Sequence, residues 1–367
     1  MGQLQPPAEN AAARIDPNMA VRDAEGDICW YDLAGLTIEG MGWSGTEGPY
    51  ERLPARASGK VPEAVWKLSK DSAGICARFV TDATAVYARW TLKDPNLAMD
   101  HMPATGVSGL DLYVRSAGVW RWAGVGRPKE SPTNRQELTR GRLAAERREC
   151  LIYLPLYNGV SAVQLGLPSA ARLEKAPPRP AGRSRPVVFY GTSIVQGGCA
   201  SRPGMAYPAI LGRWLDVPTV NLGFSGSARM EPEVAELVAE PDAAAFVLDC
   251  LPNAQPPEVA ERLGPLVRKI HAAHPDVPVV LVENVVYADA PLVADRRERV
   301  ESSNRELRTV LGALRSAGMR KLYHVPAEGL FGSDGEATVD GTHATDLGFL
   351  RMAEAIRPEL ERALREG

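Results

Sequence analysis

The polar and apolar positions of this chain follow two different periods. Up to about residue 173 the apolar residues come in short alternating runs: "AVWKLS", "GICARFVTD", "AVYARWTL", "GLDLYVRS", "VWRWAGV", "ECLIYLPL" and "SAVQLGL". Each run is rich in Val, Leu, Trp or Tyr and is bounded by Gly, Asp or Asn. Such runs predict half-buried strands, and their regular succession predicts an antiparallel β-sandwich of the jelly-roll kind. Residues 174–186, "EKAPPRPAGRSRP", have no periodicity and are rich in Pro, Arg and Gly, which reads as a linker. Beyond it, continuous apolar runs near 187–190, 218–221, 245–249, 278–282 and 321–325 alternate with helical patterns near 205–215, 231–239, 256–273 and 295–317. A last helical pattern runs from about 346 to 365. Strands alternating with helices predict a parallel sheet covered on both faces, a flavodoxin-like three-layer α/β/α domain. The expected organisation is therefore a β-sandwich over 1–173, a linker over 174–186 and an α/β domain over 187–367.

Composition narrows the function classes. With 45% hydrophobic and 24% charged residues the chain is that of an ordinary soluble protein, and its net charge of -3 gives no nucleic-acid footprint. The basic cluster "RLAAERRE" reads as a solvated surface segment. No apolar run approaches the length of a membrane span. The start, "MGQLQPPAENAAARIDPNM", has no basic region followed by an apolar one, so no signal peptide is expected. Gly2 suggests acylation, but Pro6 stands where Ser or Thr is wanted. Five scattered cysteines without a C-x-x-C pair suit a reduced, cytoplasmic setting with the thiols as packing groups.

The strand edges carry the candidate chemistry, because ligands of parallel sheets sit beyond the carboxyl ends of the strands. "FYGTSIVQGGCASRPG" places Ser193 just past the first such strand. It lacks the lysine of a phosphate-binding loop, which leaves a turn residue or a nucleophile. A nucleophilic serine needs a base beside it. Of the five histidines, His271 and His274 end a helix before Pro275, where they cap carbonyls or hold a metal that lacks a visible third ligand. His324 ends an apolar strand, and His101 belongs to the first half. His343 remains, in "VDGTHATDLGF", three residues after Asp340. A D-x-x-H turn lets the carboxylate take the Nδ1 proton and frees Nε2 to accept a serine proton, while the same segment caps the last helix. Two further strand ends offer oxyanion donors: Gly223 in "NLGFSG" through its backbone N–H, and Asn253 in "DCLPNA" through its amide, unless Asn253 only makes the turn after Pro252.

Ser, Gly, Asn and Asp-x-x-His in this order, each after a strand of one sheet, resemble the SGNH or GDSL-type hydrolase family. "GTSIVQGG" stands for its first block, with Thr192 where the family name has Asp; "NLGFSG", "DCLPN" and "DGTHATDLG" stand for the others. The first half resembles the N-terminal β-sandwich with a Gly-x-Asp-Leu-Tyr signature, here "GLDLY", found ahead of one branch of that family. The resemblance implies Ser193 as nucleophile, His343 as base, Asp340 as its orienter, and Gly223 and Asn253 as oxyanion donors, with no metal or organic cofactor. It implies a serine esterase acting through an acyl-enzyme on short acyl esters of sugars or small molecules, or an acyltransferase using the same site. The expected partner is that small-molecule or carbohydrate ester, with neither nucleic acid nor membrane. Asp111 reads as a strand residue with a structural hydrogen bond, and His101 and Tyr113 as residues that could reach the cleft.

Overall fold

The structure, a computed structural model, describes Ile15 and residues 19–24 and 26–366. Gly2, Pro6 and all but two of the first nineteen residues, on which the readings of the chain's start rest, lie outside the described residues.

Among the described residues the first half holds β1 (Val21–Arg22), β2 (Ile28–Asp32), β3 (Thr37–Glu39), β4 (Cys76–Thr81), β5 (Tyr87–Leu92), β6 (Asp111–Ser116), β7 (Val119–Val125), β8 (Thr133–Glu137), β9 (Arg148–Tyr153), β10 (Val160–Pro168) and β11 (Leu173–Lys175). They form two antiparallel sheets, β1-β2-β10-β5-β8 and β11-β4-β9-β6-β7, with β3 paired to β4. Their inner faces meet on a core that includes Phe79, Trp90, Leu112, Ile152 and Leu165. One predicted strand is a helix: "AVWKLS" lies in α1 (Glu63–Leu68). Pro62 precedes its first turn, and the Glu63–Lys67 pair is spaced i, i+4, which suits a helix. A second short helix, α2 (Ala104–Val107), follows Pro103.

The second half holds the parallel strands β12 (Val187–Gly191), β13 (Thr219–Gly223), β14 (Ala245–Asp249), β15 (Val279–Val282) and β16 (Leu322–Val325), in the spatial order β13-β12-β14-β15-β16. Every residue of the first four of these strands is buried, as expected of strands covered on both faces. The helices are α3 (Ser193–Gln196), α4 (Tyr207–Leu215), α5 (Pro232–Val238), α6 (Pro256–Ala273), α7 (Ala294–Ser316) and α8 (Asp346–Glu366). The order reverses at β12, whose neighbours are β13 and β14, so a crevice opens at its carboxyl end. No described helix is long and apolar enough to cross a membrane.

The two halves share their interior. Leu53, Ala57, Val61 and Val65, all from the first half, pack in one cluster with Val188, Leu222, Phe246 and Leu248. Arg52 is buried and donates to the carbonyls of Gly223 (2.5 Å) and Asn221 (3.3 Å) in β13 and of Asp71 (3.0 Å) in its own half. Burial lowers its guanidinium to about 10. Asp71, half-buried beside it and bonded by Gln196 of α3 (3.0 Å), is raised to about 6 by desolvation, against the pull of Arg52.

Candidate active site

Ser193 is the first residue of α3, directly after β12 and Thr192. Thr192 is the N-cap, its Oγ1 accepting the N–H of Ile194 at 3.3 Å. Thr and Asp are both N-cap residues, so the turn tolerates the exchange. The Ser193 carbonyl accepts from the N–H groups of Gly197 (2.9 Å) and Gly198 (2.7 Å) and from the Tyr157 hydroxyl (3.2 Å). Three donors on one oxygen fix the backbone that carries the hydroxyl. Gly197 ends the helix at φ 110°, and a side chain there would meet Ala206 and Leu156.

His343 Nε2 lies 3.0 Å from Ser193 Oγ, and its Nδ1 lies 2.7 Å from Asp340 Oδ2. The other carboxylate oxygen accepts the backbone N–H groups of Thr342 (3.0 Å) and His343 (2.8 Å). Partial burial alone would raise Asp340, but the bonds from His343 and Thr342 outweigh it and hold the carboxyl at about 2. Asp340 therefore stays ionised, accepts the hydrogen bond of the Nδ1–H and leaves the Nε2 lone pair facing the hydroxyl. The loop is braced from outside: Ala288 donates to the Gly341 carbonyl (2.9 Å), and Arg296 bonds both Thr342 Oγ1 (2.7 Å) and Asp289 (2.8 Å). Next to it a cavity of about 390 Å³ is lined by residues that include Tyr287, Pro291, Phe331, Ala337 and Thr338.

The oxyanion donors need one correction. Gly223 does stand at the end of β13, but its N–H already donates to Asn221 Oδ1 at 2.9 Å and the residue is buried. Its lack of a side chain has another cause: a Cβ would lie 2.1 Å from the Gln196 nitrogen of α3. The free glycine of this loop is Gly226, which is exposed at φ 66° and whose N–H has no partner among the described residues. The signal for it was present: a second glycine beyond the strand end, where the chain turns. Asn253 is half-buried and donates one amide N–H to the Ser227 carbonyl at 2.6 Å, which ties the loop after β14 to the loop after β13. Its second amide N–H carries no such bond among the described residues. The Ser193 N–H, at the start of α3, has no intrahelical partner either.

The remaining candidates fall apart by role. His101 reaches the cleft, with its ring edge-on to His343 at 5.6 Å between centroids. Tyr113 is buried against Tyr153 and under Arg213, behind the site. Asp111 accepts from Arg202 (2.7 Å), the Gly204 N–H (2.8 Å) and the Trp122 indole (3.0 Å), a structural brace on the loop after α3. Burial pushes its carboxyl up, with Arg202 opposing. His274 caps a neighbouring helix: Nε2 contacts the Ala239 carbonyl at the end of α5 at 2.8 Å. His324 pairs with Glu283 at 2.9 Å. Among the described residues, neither His271 nor His274 belongs to a three-residue group that could hold a metal. Cys199 lies near two histidines in space although none neighbours it in sequence. Burial and the charge of Asp340 push its thiol up to about 12, so it stays protonated and is no nucleophile at neutral pH.

Comparison with known proteins gives the family and the fold. Residues 184–361 match the profile of the GDSL-like lipase/acylhydrolase family, and residues 28–173 match GxDLY, the N-terminus of the SGNH-hydrolase-type esterases. No curated protein matches the chain. Among solved structures, a GDSL-like lipase from Bacteroides ovatus is 35% identical, with a TM-score of 0.86 over 93% of this chain and 99% of that one. A salicylyl-acyltransferase from a tetracycline biosynthetic pathway is 19% identical, with a TM-score of 0.72 over 94% and 96%. A family two carbohydrate esterase from Clostridium thermocellum, in complex with cellohexaose, is 15% identical, with a TM-score of 0.59 over 80% and 94%. The last two share the fold.

Proposed function

Because this chain belongs to the GDSL-like lipase/acylhydrolase family and is an ester-hydrolysing enzyme, we propose that it is a serine esterase removing short acyl groups, acetyl foremost, from sugars or small alcohols. The observation that carries this reading is the relay from Ser193 Oγ through His343 to Asp340, at 3.0 and 2.7 Å, over the crevice of the parallel sheet. Ser193 Oγ attacks the ester carbonyl as its proton passes to His343 Nε2. The negative charge that develops on the carbonyl oxygen meets the N–H groups of Ser193 and Gly226 and the second amide N–H of Asn253. Collapse expels the alcohol, which takes the proton from His343. Water then repeats the sequence on the acyl-enzyme and releases the acid. The sugar alcohol is supported by the fold shared with the carbohydrate esterase.

A panel of p-nitrophenyl esters of increasing chain length, together with acetylated sugars, tests the proposal. Turnover is expected to fall as the acyl chain lengthens. Ser193→Ala is expected to lower turnover by a factor of ~10³ or more while the far-ultraviolet spectrum is unchanged. A variant keeping a tenth of the activity removes Ser193 from the mechanism. The second reading, transfer to an alcohol, draws on the fold shared with the salicylyl-acyltransferase. Added alcohol acceptors decide between the two: an acyltransferase forms the new ester faster than it forms free acid.

A further inference from the structure

We propose that His101, Cys199 and His343 form a zinc site that holds the esterase off, an inference that rests on the reading of His343 as its base. One ligand atom from each of the three residues lies within 4.8 Å of the others. A tetrahedral zinc ion, with bonds of 2.0–2.3 Å, wants such atoms roughly 3.3–3.6 Å apart. The widest gap must close by up to about 1.2–1.5 Å, which a rotation of the His101 side chain would supply. Its side chain is exposed, and it sits in the short loop between Met99 and Met102.

The Cys199 backbone is fixed, and one nitrogen of His343 is already engaged. Cys199 holds φ at 72°, a left-handed conformation unfavourable for a residue with a Cβ, kept by the turn in which the Ala200 N–H bonds the Gly197 carbonyl (3.1 Å). His343 donates its Nδ1–H to Asp340, so the nitrogen it can offer a metal is Nε2. A carboxylate accepting from the far nitrogen of a histidine ligand is the arrangement that orients zinc-bound imidazoles. Asp340 therefore prepares His343 for a cation as well as for a proton. Two imidazoles and a thiolate are a ligand set that suits Zn²⁺ and leaves a fourth position for water.

Binding forms one Zn–S and two Zn–N bonds, and the Cys199 thiol proton leaves to solvent. The lone pair that would accept the Ser193 proton is then occupied, and turnover stops. Because His101 comes from the first half of the chain and the other two from the second, the ion also clamps the two halves together across the cleft.

The test uses the whole chain and two readouts. In buffered free Zn²⁺, the wild type is expected to lose esterase activity and recover it on adding EDTA. Each measured against its own zinc-free turnover, His101→Ala and Cys199→Ser are expected to need at least tenfold more free zinc for half-inhibition. The second readout does not depend on activity. Co²⁺ in place of zinc is expected to give a thiolate-to-cobalt charge-transfer band in the wild type and in Ser193→Ala, and none in Cys199→Ser. If Cys199→Ser folds poorly, the exposed His101→Ala still decides through a weakened cobalt titration. Equal zinc sensitivity in all three active proteins, or a wild type without the thiolate band, overturns the proposal. A band without esterase activity would keep the metal site and reject the hydrolase reading instead.

Discussion

Asp340 shows how a half-exposed carboxylate is kept charged. Held at about 2, below the ordinary 3.8, it lends the fold stability that is present above pH 3.8 and is lost as pH falls through about 2. The acid limb of the kcat/KM profile between pH 4 and 7 should therefore not contain its titration. Asp340→Asn keeps an acceptor for the Thr342 and His343 N–H groups but presents the wrong partner to Nδ1. It should lower kcat by about 10³ to 10⁴ with little change in melting temperature. Asn253→Ala should lower kcat by on the order of 10² to 10³ with KM nearly constant, because the amide acts as charge develops on the oxygen. Loss of its bond to Ser227 adds roughly 1 kcal/mol of instability. Unchanged kcat with a lowered melting temperature would leave Asn253 as a loop tie alone. At this scale Ser193, His343 and Asp340 were legible because each sits just beyond an apolar run or before a helical one. The backbone donor was not. "NLGFSG" offers two glycines three residues apart, and only the bond from Gly223 to Asn221 tells which N–H is occupied.

Among the elements, the parallel strands and their helices could be read from the chain because buried strands are continuous apolar runs and covering helices keep a 3.6-residue period. The error at α1 has a physical origin. "AVWKLS" alternates over six residues, too short a window to separate the two periods, and its fate is decided by Pro62 before it and by the hydrophobic cluster that Val65 joins. α2 was invisible for the same reason, yet it matters for the site. Gly106 lies against the loop after α3: a Cβ there would stand 2.1 Å from the Ala200 carbonyl oxygen, and Thr105 bonds the Ser201 carbonyl at 2.6 Å. Backbone cannot yield cheaply there. Gly106→Ala should cost about 1–3 kcal/mol in urea denaturation and lower kcat by shifting the segment that follows Ser193. An alanine variant with wild-type stability would mean that the two segments are looser than described.

At the scale of the molecule, periodicity says that a residue is buried but not against what. Nothing local in "ERLPARASGKVPEAVW" announces that Leu53, Ala57, Val61 and Val65 complete the interior beneath β13 and β14. Nor does Arg52 announce itself as the tie between the halves. Arg52→Met should destabilise the protein by about 3–5 kcal/mol, because it strips partners from the β13 carbonyls and removes the nearer cation from the half-buried Asp71. Asp71→Asn added to Arg52→Met should recover part of that loss. Additive losses would show that the two residues act separately.

The bond from Arg52 to Gly223 joins residues 171 positions apart, and this separation is also an interval of time. At roughly 5–20 residues per second, a ribosome takes about 10–30 s to make the chain between them. Throughout that interval the apolar face of residues 53–65 has been synthesised and its floor has not. The nascent amino-terminal half must wait unfinished, exposed to proteases, chaperones and its own neighbours, until β13 emerges. Ribosome pausing before β13 should lower the yield of this protein more than a pause after α8 begins, and slow closure of so long a loop should set its refolding rate in vitro.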